Sequence, residues 1–292
     1  MKNLLFFLKR GSLDKAHYLV IAILFIAVIL FASIIGIERI QHSAKILVQK
    51  DTQYGSLWIF DDKNSRCLSF KPPPTDIVQS CEFLEEHHKI AHNYTKMFLG
   101  ALFINDNPKN ILVVGLGGGN IQKALNFLLP NAQIDTVEIN PALPELVEKY
   151  FDYKEDEHNK FYIQDAAEFV LNAPSNSYDV VFIDAFGSEY IPPHLLTDKF
   201  MSNVKRILKP GGVVAMNTFT SSKTYEQEGG LIKKEFGKFY NLIVGGTRVV
   251  ITMKGAFIEL NEIQSKANLW LYKFAHLDVN IKTLYDLFVE QK

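Results

Sequence analysis

A run of glycines and three carboxylates recur at one kind of place in this chain, the end of a short apolar stretch. Gly115-Leu116-Gly117-Gly118-Gly119-Asn120 follows Ile111-Leu112-Val113-Val114. Glycines there let a backbone turn tightly and lie against a ligand without interference from a Cβ. The same turn could serve helix–strand packing alone, and no Gly-Lys-Ser/Thr follows to make it a phosphate-binding loop. Glu138 closes the next apolar stretch, 23 residues after Gly115. A carboxylate at that position accepts hydrogen bonds from both hydroxyls of a ribose. Asp165, in Ile163-Gln164-Asp165-Ala166, is open to two readings: a helix N-cap, or an acceptor for an adenine amino group. Asp184 ends Tyr178-Asp179-Val180-Val181-Phe182-Ile183-Asp184. A carboxylate leaving such a strand points into the crevice where ligands bind, and partial desolvation raises its proton affinity, which suits a base. Ordering its own loop is the alternative role. Three ligand-facing features at successive strand ends point to an adenosine-type ligand.

These residues need a scaffold that lines up strand ends, and the pattern from Asn110 onward supplies one. Strands are expected at Ile111–Val114, Gln133–Glu138, Phe161–Gln164, Val180–Asp184 and Val213–Asn217. Helices fall between them, at Asn120–Leu129, through Leu146 and Tyr150, near Ala166–Leu171 and near His194–Leu208. Such alternation argues a parallel, doubly wound α/β sheet. Asn241–Val244 and Thr247–Thr252 are joined by Gly245-Gly246 alone, a link that makes a tight antiparallel hairpin. An all-parallel dinucleotide fold has no such closing hairpin, which disfavours a nicotinamide enzyme, whereas the S-adenosylmethionine-type Rossmann-like fold ends in one. Upstream, Ala44–Gln49, Ser56–Phe60 and Cys67–Phe70 are separated by turn-rich segments and form a small antiparallel β unit. A more helical stretch is expected from about Glu82 to Phe103, and amphipathic helices in the tail.

Composition narrows the partners. With 31 basic and 32 acidic residues among 292, the net charge is −1, and no global field attracts nucleic acid. Cys67 and Cys81 form no CxxC and leave redox state open. His88 and His92 have a zinc-compatible i, i+4 spacing, but no third ligand is near and a solvated helix face is the better reading, so no metal is expected. From Tyr18 to Ile37 twenty residues carry no charge. A helix of that length spans about 30 Å, which predicts an uncleaved, single-pass anchor in the lipid bilayer over residues 18–37. Four basic residues precede it and three follow it, too even a balance to set topology.

Taken together, the chain resembles the spermidine synthase (polyamine aminopropyltransferase) family over roughly Ala44 to Thr252. The resemblance rests on the β unit, the glycine loop, Val137-Glu138-Ile139-Asn140-Pro141, Gln164-Asp165-Ala166 and Tyr178-Asp179 leading to Asp184. Gln53-Tyr54 matches a short aromatic–glutamine stretch, and Tyr94-Thr95-Lys96-Met97 a Tyr-x-Glu-Met stretch. It implies decarboxylated S-adenosylmethionine as donor, held by the backbone of Gly115, Gly117, Gly118 and Gly119, by Glu138 at the ribose, by Asp165 and Ala166 at the adenine, and by Gln53. It further implies a small-molecule amine acceptor lined by Tyr94, Tyr54 and Glu189, and Asp184 as the base. Enzymes of this fold often dimerise, so a homodimer is allowed. Three acids of the family are missing: Gly118 stands in the glycine loop, Gly187 three residues after Asp184, and Lys96 beside the tyrosine. Each lost charge-assisted hydrogen bond is worth about 1.5–3 kcal/mol, and Glu189 could replace one.

The expected organisation is a tail and transmembrane helix over 1–40, a small β domain over 41–82, a Rossmann-like catalytic domain over 83–255 and a helical tail over 256–292. The leading function is aminopropyl transfer in polyamine biosynthesis by a membrane protein whose catalytic domain faces the cytoplasm, where such donors occur. The alternatives are a methyltransferase using intact S-adenosylmethionine and a non-catalytic nucleoside-binding module.

Overall fold

The computed structural model describes residues 19–31, 44–187 and 189–291. The chain falls into two compact units, Met1–Ala44 and Lys45–Lys292. In the first, residues 19–31 form a helix with exposed side chains. At 1.5 Å per residue the described stretch spans about 20 Å, against the roughly 30 Å hydrocarbon core of a bilayer. No helix among the described residues is long and apolar enough to cross a membrane. The expected anchor over 18–37 is therefore not borne out, and the membrane localisation falls with it. The rest of that segment and the basic residues preceding it lie outside the described residues.

The second unit carries two sheets. The smaller is an antiparallel meander of β1 (Lys45–Thr52), β2 (Gly55–Asp62), β3 (Ser65–Ser69) and β4 (Ser80–Phe83). Its fourth strand was not expected. Glu82 and Phe83 extend there to pair with Arg66 and Ser65, which shortens the anticipated helix to α1 (Asn93–Phe98) and a 3₁₀ turn, Leu99–Phe103. Cys67 and Cys81 face each other across β3 and β4 and are joined as a disulfide. Leu57, Ile59 and Leu68 of this sheet bury against Leu146, Val147 and Phe151.

The larger sheet has eight strands in the order β12-β10-β11-β9-β8-β5-β6-β7. Five run parallel: β5 (Asn110–Val114), β6 (Gln133–Glu138), β7 (Asn159–Ile163), β8 (Tyr178–Ile183) and β9 (Leu208–Phe219). The hairpin of β10 (Phe239–Val244) and β11 (Thr247–Met253) turns at Gly245 and Gly246, both with positive φ, and pairs antiparallel to β9. A last strand, β12 (Val289–Gln291), adds to β10.

Helices cover both faces, and the strands show it. Along β5, Ile111 and Val113 enter one core with Phe98, Phe182 and Trp270, while Leu112 and Val114 enter the other with Phe200 and Met216. A strand buried on both sides reads as an unbroken apolar run rather than an alternation. The crossovers are α2 (Asn120–Leu128), α3 (Leu143–Phe151), α4 (Ala166–Asn172) and α5 (Asp198–Ile207), with α6 (Tyr225–Phe236) between β9 and β10. The tail packs α7 (Leu260–Ala267), α8 (Leu271–His276) and α9 (Ile281–Asp286). The chain proceeds from β5 outward through β6 to β7, then returns to place β8 on the other side of β5. Strand order thus reverses at β5/β8, the position where open α/β sheets bind ligands.

Candidate functional site

Gly115 leaves β5 and Asp184 leaves β8, and these neighbouring strands bring them into contact. The Asp184 N–H donates to the Val114 carbonyl at 2.8 Å. Gly115 has φ +105°, and a Cβ there would overlap the carbonyl oxygen of Asp184. Glycine is thus required at 115 by the close approach of two backbones. Gly117 and Gly119 also have positive φ, 52° and 74°, and Gly119 leads into α2.

Glu138 ends β6 with its side chain buried. One carboxylate oxygen accepts the N–H of Leu116 at 3.0 Å, and the other accepts that of Asn140 at 2.8 Å. Burial raises its pKa above the ordinary value, against the pull of these backbone donors. An ionised carboxylate has about four lone-pair positions, so acceptor capacity that a ribose diol can use remains beside these backbone donors. The carboxylate also binds the glycine loop to the β6 turn. Asn140 in turn donates to Thr52 at 3.1 Å, so the β1–β2 turn with exposed Gln53 and half-buried Tyr54 docks beside the Glu138 loop.

Asp165 is the N-cap of α4, accepting from Ala167 at 2.8 Å and Glu168 at 3.2 Å through one oxygen. Its second oxygen lies 2.7 Å from Nε2 of His194. The cap reading left open by the residue pattern is therefore the one seen, and His194 is a neighbour the sequence did not suggest. Ala166 is buried beneath it in the core.

Asp184 is half-buried, and desolvation pushes its pKa from 3.8 up to about 6. Hydrogen bonds from Asn217 and Tyr94 work in the opposite direction. Nδ2 of Asn217 donates at 2.9 Å to one carboxylate oxygen. The Tyr94 hydroxyl lies between Asp184 and the carbonyl of Gln79, at 3.3 Å from the latter, and burial followed by the Asp184 charge raises its pKa well above 10. Asn217 was not anticipated. Its Oδ1 is buried with no hydrogen-bond partner, while its Nδ2 holds Asp184. The signal was present in Val213-Val214-Ala215-Met216-Asn217, where a single polar residue ends an apolar run.

The three missing acids have different surroundings. The space a side chain at 118 would take is filled, since a Cβ would lie 2.8 Å from Oγ of Ser80 and 3.2 Å from Phe151. Lys96 is turned to Asp278, 3.0 Å away, and to its carbonyl at 2.8 Å. Gly187 has room, with only the Tyr190 carbonyl oxygen at 3.6 Å from an added Cβ. Glu189 is exposed. The expected solvated helix at 85–92 is absent: that segment is turn and extended chain, and Nε2 of His92 is buried without a partner. Burial lowers the His92 pKa.

The spermine/spermidine synthase domain matches residues 88–240. A polyamine aminopropyltransferase of Vibrio vulnificus is 34% identical over 239 residues, covering 80% of this chain and 78% of its own. The chain therefore belongs to the spermine/spermidine synthase family. A probable spermidine synthase from Corynebacterium glutamicum shares the fold, with a TM-score of 0.64 at 17% identity over 78% of this chain and 86% of that one. The mouse eEF1A lysine and N-terminal methyltransferase is 27% identical over 51% of this chain but only 22% of its own length.

The packing at Gly118 is directly testable. Gly118→Ala is expected to destabilise the protein by about 1–3 kcal/mol, the usual cost of overpacking. Ser80→Ala added to it should recover part of the loss by removing the nearest atom. Denaturant titration of the two variants against wild type measures both.

Proposed function

We propose that the protein transfers an aminopropyl group from decarboxylated S-adenosylmethionine to an amine, with Asp184 as the base. The observation that carries this reading is a desolvated carboxylate held by Tyr94 and Asn217 against the glycine loop of a nucleoside-binding sheet. In this reading Glu138 holds the ribose, and the Gly115–Gly119 backbone lies along the nucleoside. Asp165 sits at the adenine end, with the β1–β2 turn over the ribose.

The donor supplies a sulfonium whose adjacent methylene is electrophilic. Asn217 Oδ1 accepts one N–H of the incoming amine and so aims its nitrogen, while Asp184 takes the proton the ammonium must lose. The new C–N bond forms as the C–S bond breaks, its electrons passing to sulfur and releasing methylthioadenosine. An alkylammonium has a pKa near 10. A carboxylate raised to about 6 lies some two units closer to that value than an exposed aspartate, which eases the transfer.

Membership of the family and the identity to the Vibrio protein support aminopropyl transfer. One observation favours a second reading, a methyltransferase using the intact donor. The filled space at Gly118 leaves no room for a carboxylate to pair with the donor's amine, and an intact donor brings its own carboxylate to balance that amine. Parallel calorimetric titrations of the full chain with the two donors separate these readings. Aminopropyl transfer requires tighter binding of the decarboxylated donor; preference for intact S-adenosylmethionine would move the protein to the methyltransferases.

Asp184→Asn preserves the shape that Asn217 and Tyr94 hold but cannot take a proton. It should lower kcat by about 10²–10⁴, the usual contribution of a general base, with donor affinity nearly unchanged. Equal loss of both would remove the assigned role. In wild type, kcat/KM should rise with pH through about 6 as Asp184 ionises. Stability moves the other way for this group. Its folded pKa is raised, so the native state binds its proton more tightly, and the contribution declines as pH rises from about 4 to about 6. A rate profile flat from pH 5 to 7 would contradict this.

A further inference from the structure

The segment after Asp184 carries two aromatic rings that meet a third at the end of β9. Phe186 lies 5.3 Å from Phe219 and 5.6 Å from Tyr190, and Tyr190 lies 6.0 Å from Phe219, centroid to centroid. Phe219 is 38% exposed, and Phe186 and Tyr190 are half-buried. Side chains alternate along a strand, so Asn217 and Phe219 share one face of β9, about 7 Å apart along it. Phe219 is thus the next side chain after Asn217 on that face.

What the rings meet is apolar. The Tyr190 hydroxyl is occupied, donating to Glu228 at 2.8 Å and accepting from the Phe219 N–H at 3.3 Å, which leaves its ring as the face on offer. Glu228 is itself fully buried. One of its oxygens also takes Thr224 and Ser222, and Arg248 stands 3.7 Å from the other. That second oxygen makes no hydrogen bond, so its charge is balanced by the Arg248 ion pair alone. Where the family has a second acid, Gly187 has no side chain, and Lys96 is held by Asp278. Glu189 faces solvent.

We propose that the acceptor is a primary amine with an apolar tail, seated on Phe186, Tyr190 and Phe219, rather than a diamine. This deepens the aminopropyl-transfer reading and rests on it. A second ammonium delivered to these rings would lose hydration, and Glu228, behind the Tyr190 hydroxyl, is already paired with Arg248. Ring faces attract a cation, yet less than an ion pair with hydrogen bonds does. An alkyl or phenyl tail there leaves water for a surface that welcomes it.

Methylthioadenosine release from decarboxylated S-adenosylmethionine by the full chain, with hexylamine, phenethylamine and 1,4-diaminobutane as acceptors, tests this. Calorimetric binding of each amine in the presence of methylthioadenosine gives a readout independent of turnover. The two apolar amines should exceed the diamine in kcat/KM by at least about tenfold, the worth of one charge-assisted hydrogen bond. Gly187→Asp has space for its side chain and should shift the ratio by a similar factor toward the diamine. Phe219→Ala should weaken binding of the apolar amines more than of the diamine. Turnover with a preference for the diamine overturns the inference and leaves aminopropyl transfer standing. So does a diamine preference that is lost in Glu189→Gln. Tight binding of apolar amines without release of methylthioadenosine from any acceptor overturns aminopropyl transfer itself. Failure of both binding and turnover overturns both.

Discussion

The site depends on one contact between backbones, the approach of the Asp184 carbonyl to the place a Cβ would occupy on Gly115. It follows from the parallel pairing of β5 with β8, which brings the carboxyl ends of both strands to the same edge. Because β6 lies on the other side of β5, Glu138 reaches back to the Leu116 N–H and binds the glycine loop from its second flank. The glycine loop and Asp184 are thus held by the same strand. A shift of either strand by one residue would put an apolar side chain where each carboxylate stands.

Burial does chemical work at this edge. Asp184 and Glu138 both lose solvent, but they are answered differently. Glu138 receives backbone donors on both oxygens, which favours its charged form and suits a group that only accepts hydrogen bonds. Asp184 receives side chains, Asn217 and Tyr94, and desolvation outweighs them. In both groups desolvation outweighs the donors and raises the pKa; they differ in that Glu138 is tied by backbone N–H groups and Asp184 by two side chains.

Much of this was legible in the residues. Gln133–Glu138 and the Gly245-Gly246 hairpin were read with their observed bounds or close to them, because an apolar run between turn residues and a two-glycine link each admit one local geometry. What failed did so for identifiable reasons. Ser80–Phe83 carries Cys and Glu and extends only because β3 offers it a partner, a long-range fact. Tyr225–Phe236 contains Gly229-Gly230, which weakens a helix locally; Arg248, stacked on Tyr225 and facing Glu228, fastens it to the sheet instead. The apolar run near the N-terminus satisfied a length rule that the described helix does not reach. Asn217 was passed over because an amide at the end of an apolar strand looks like the start of a loop; its role is visible only once β9 lies beside β8.

The three acids absent from the crevice therefore do not amount to one uniform loss of charge. At 118 the space is filled by Ser80 and Phe151, and the change is bound into the packing of the small sheet on the glycine loop. At 96 the new cation is withdrawn from the crevice by Asp278 of the tail. At 187 nothing fills the space, and the rings of Phe186, Tyr190 and Phe219 define the surface instead. Asp184 is left as the half-buried carboxylate beside Asn217, while the buried Glu228 lies behind the Tyr190 hydroxyl with Arg248 near it. The raised pKa of Asp184 then comes from desolvation alone, which an apolar tail on the rings would deepen and a second ammonium would reverse. The electrostatics of Asp184 and the apolar character of the ring surface are for this reason coupled through the loop that follows β8.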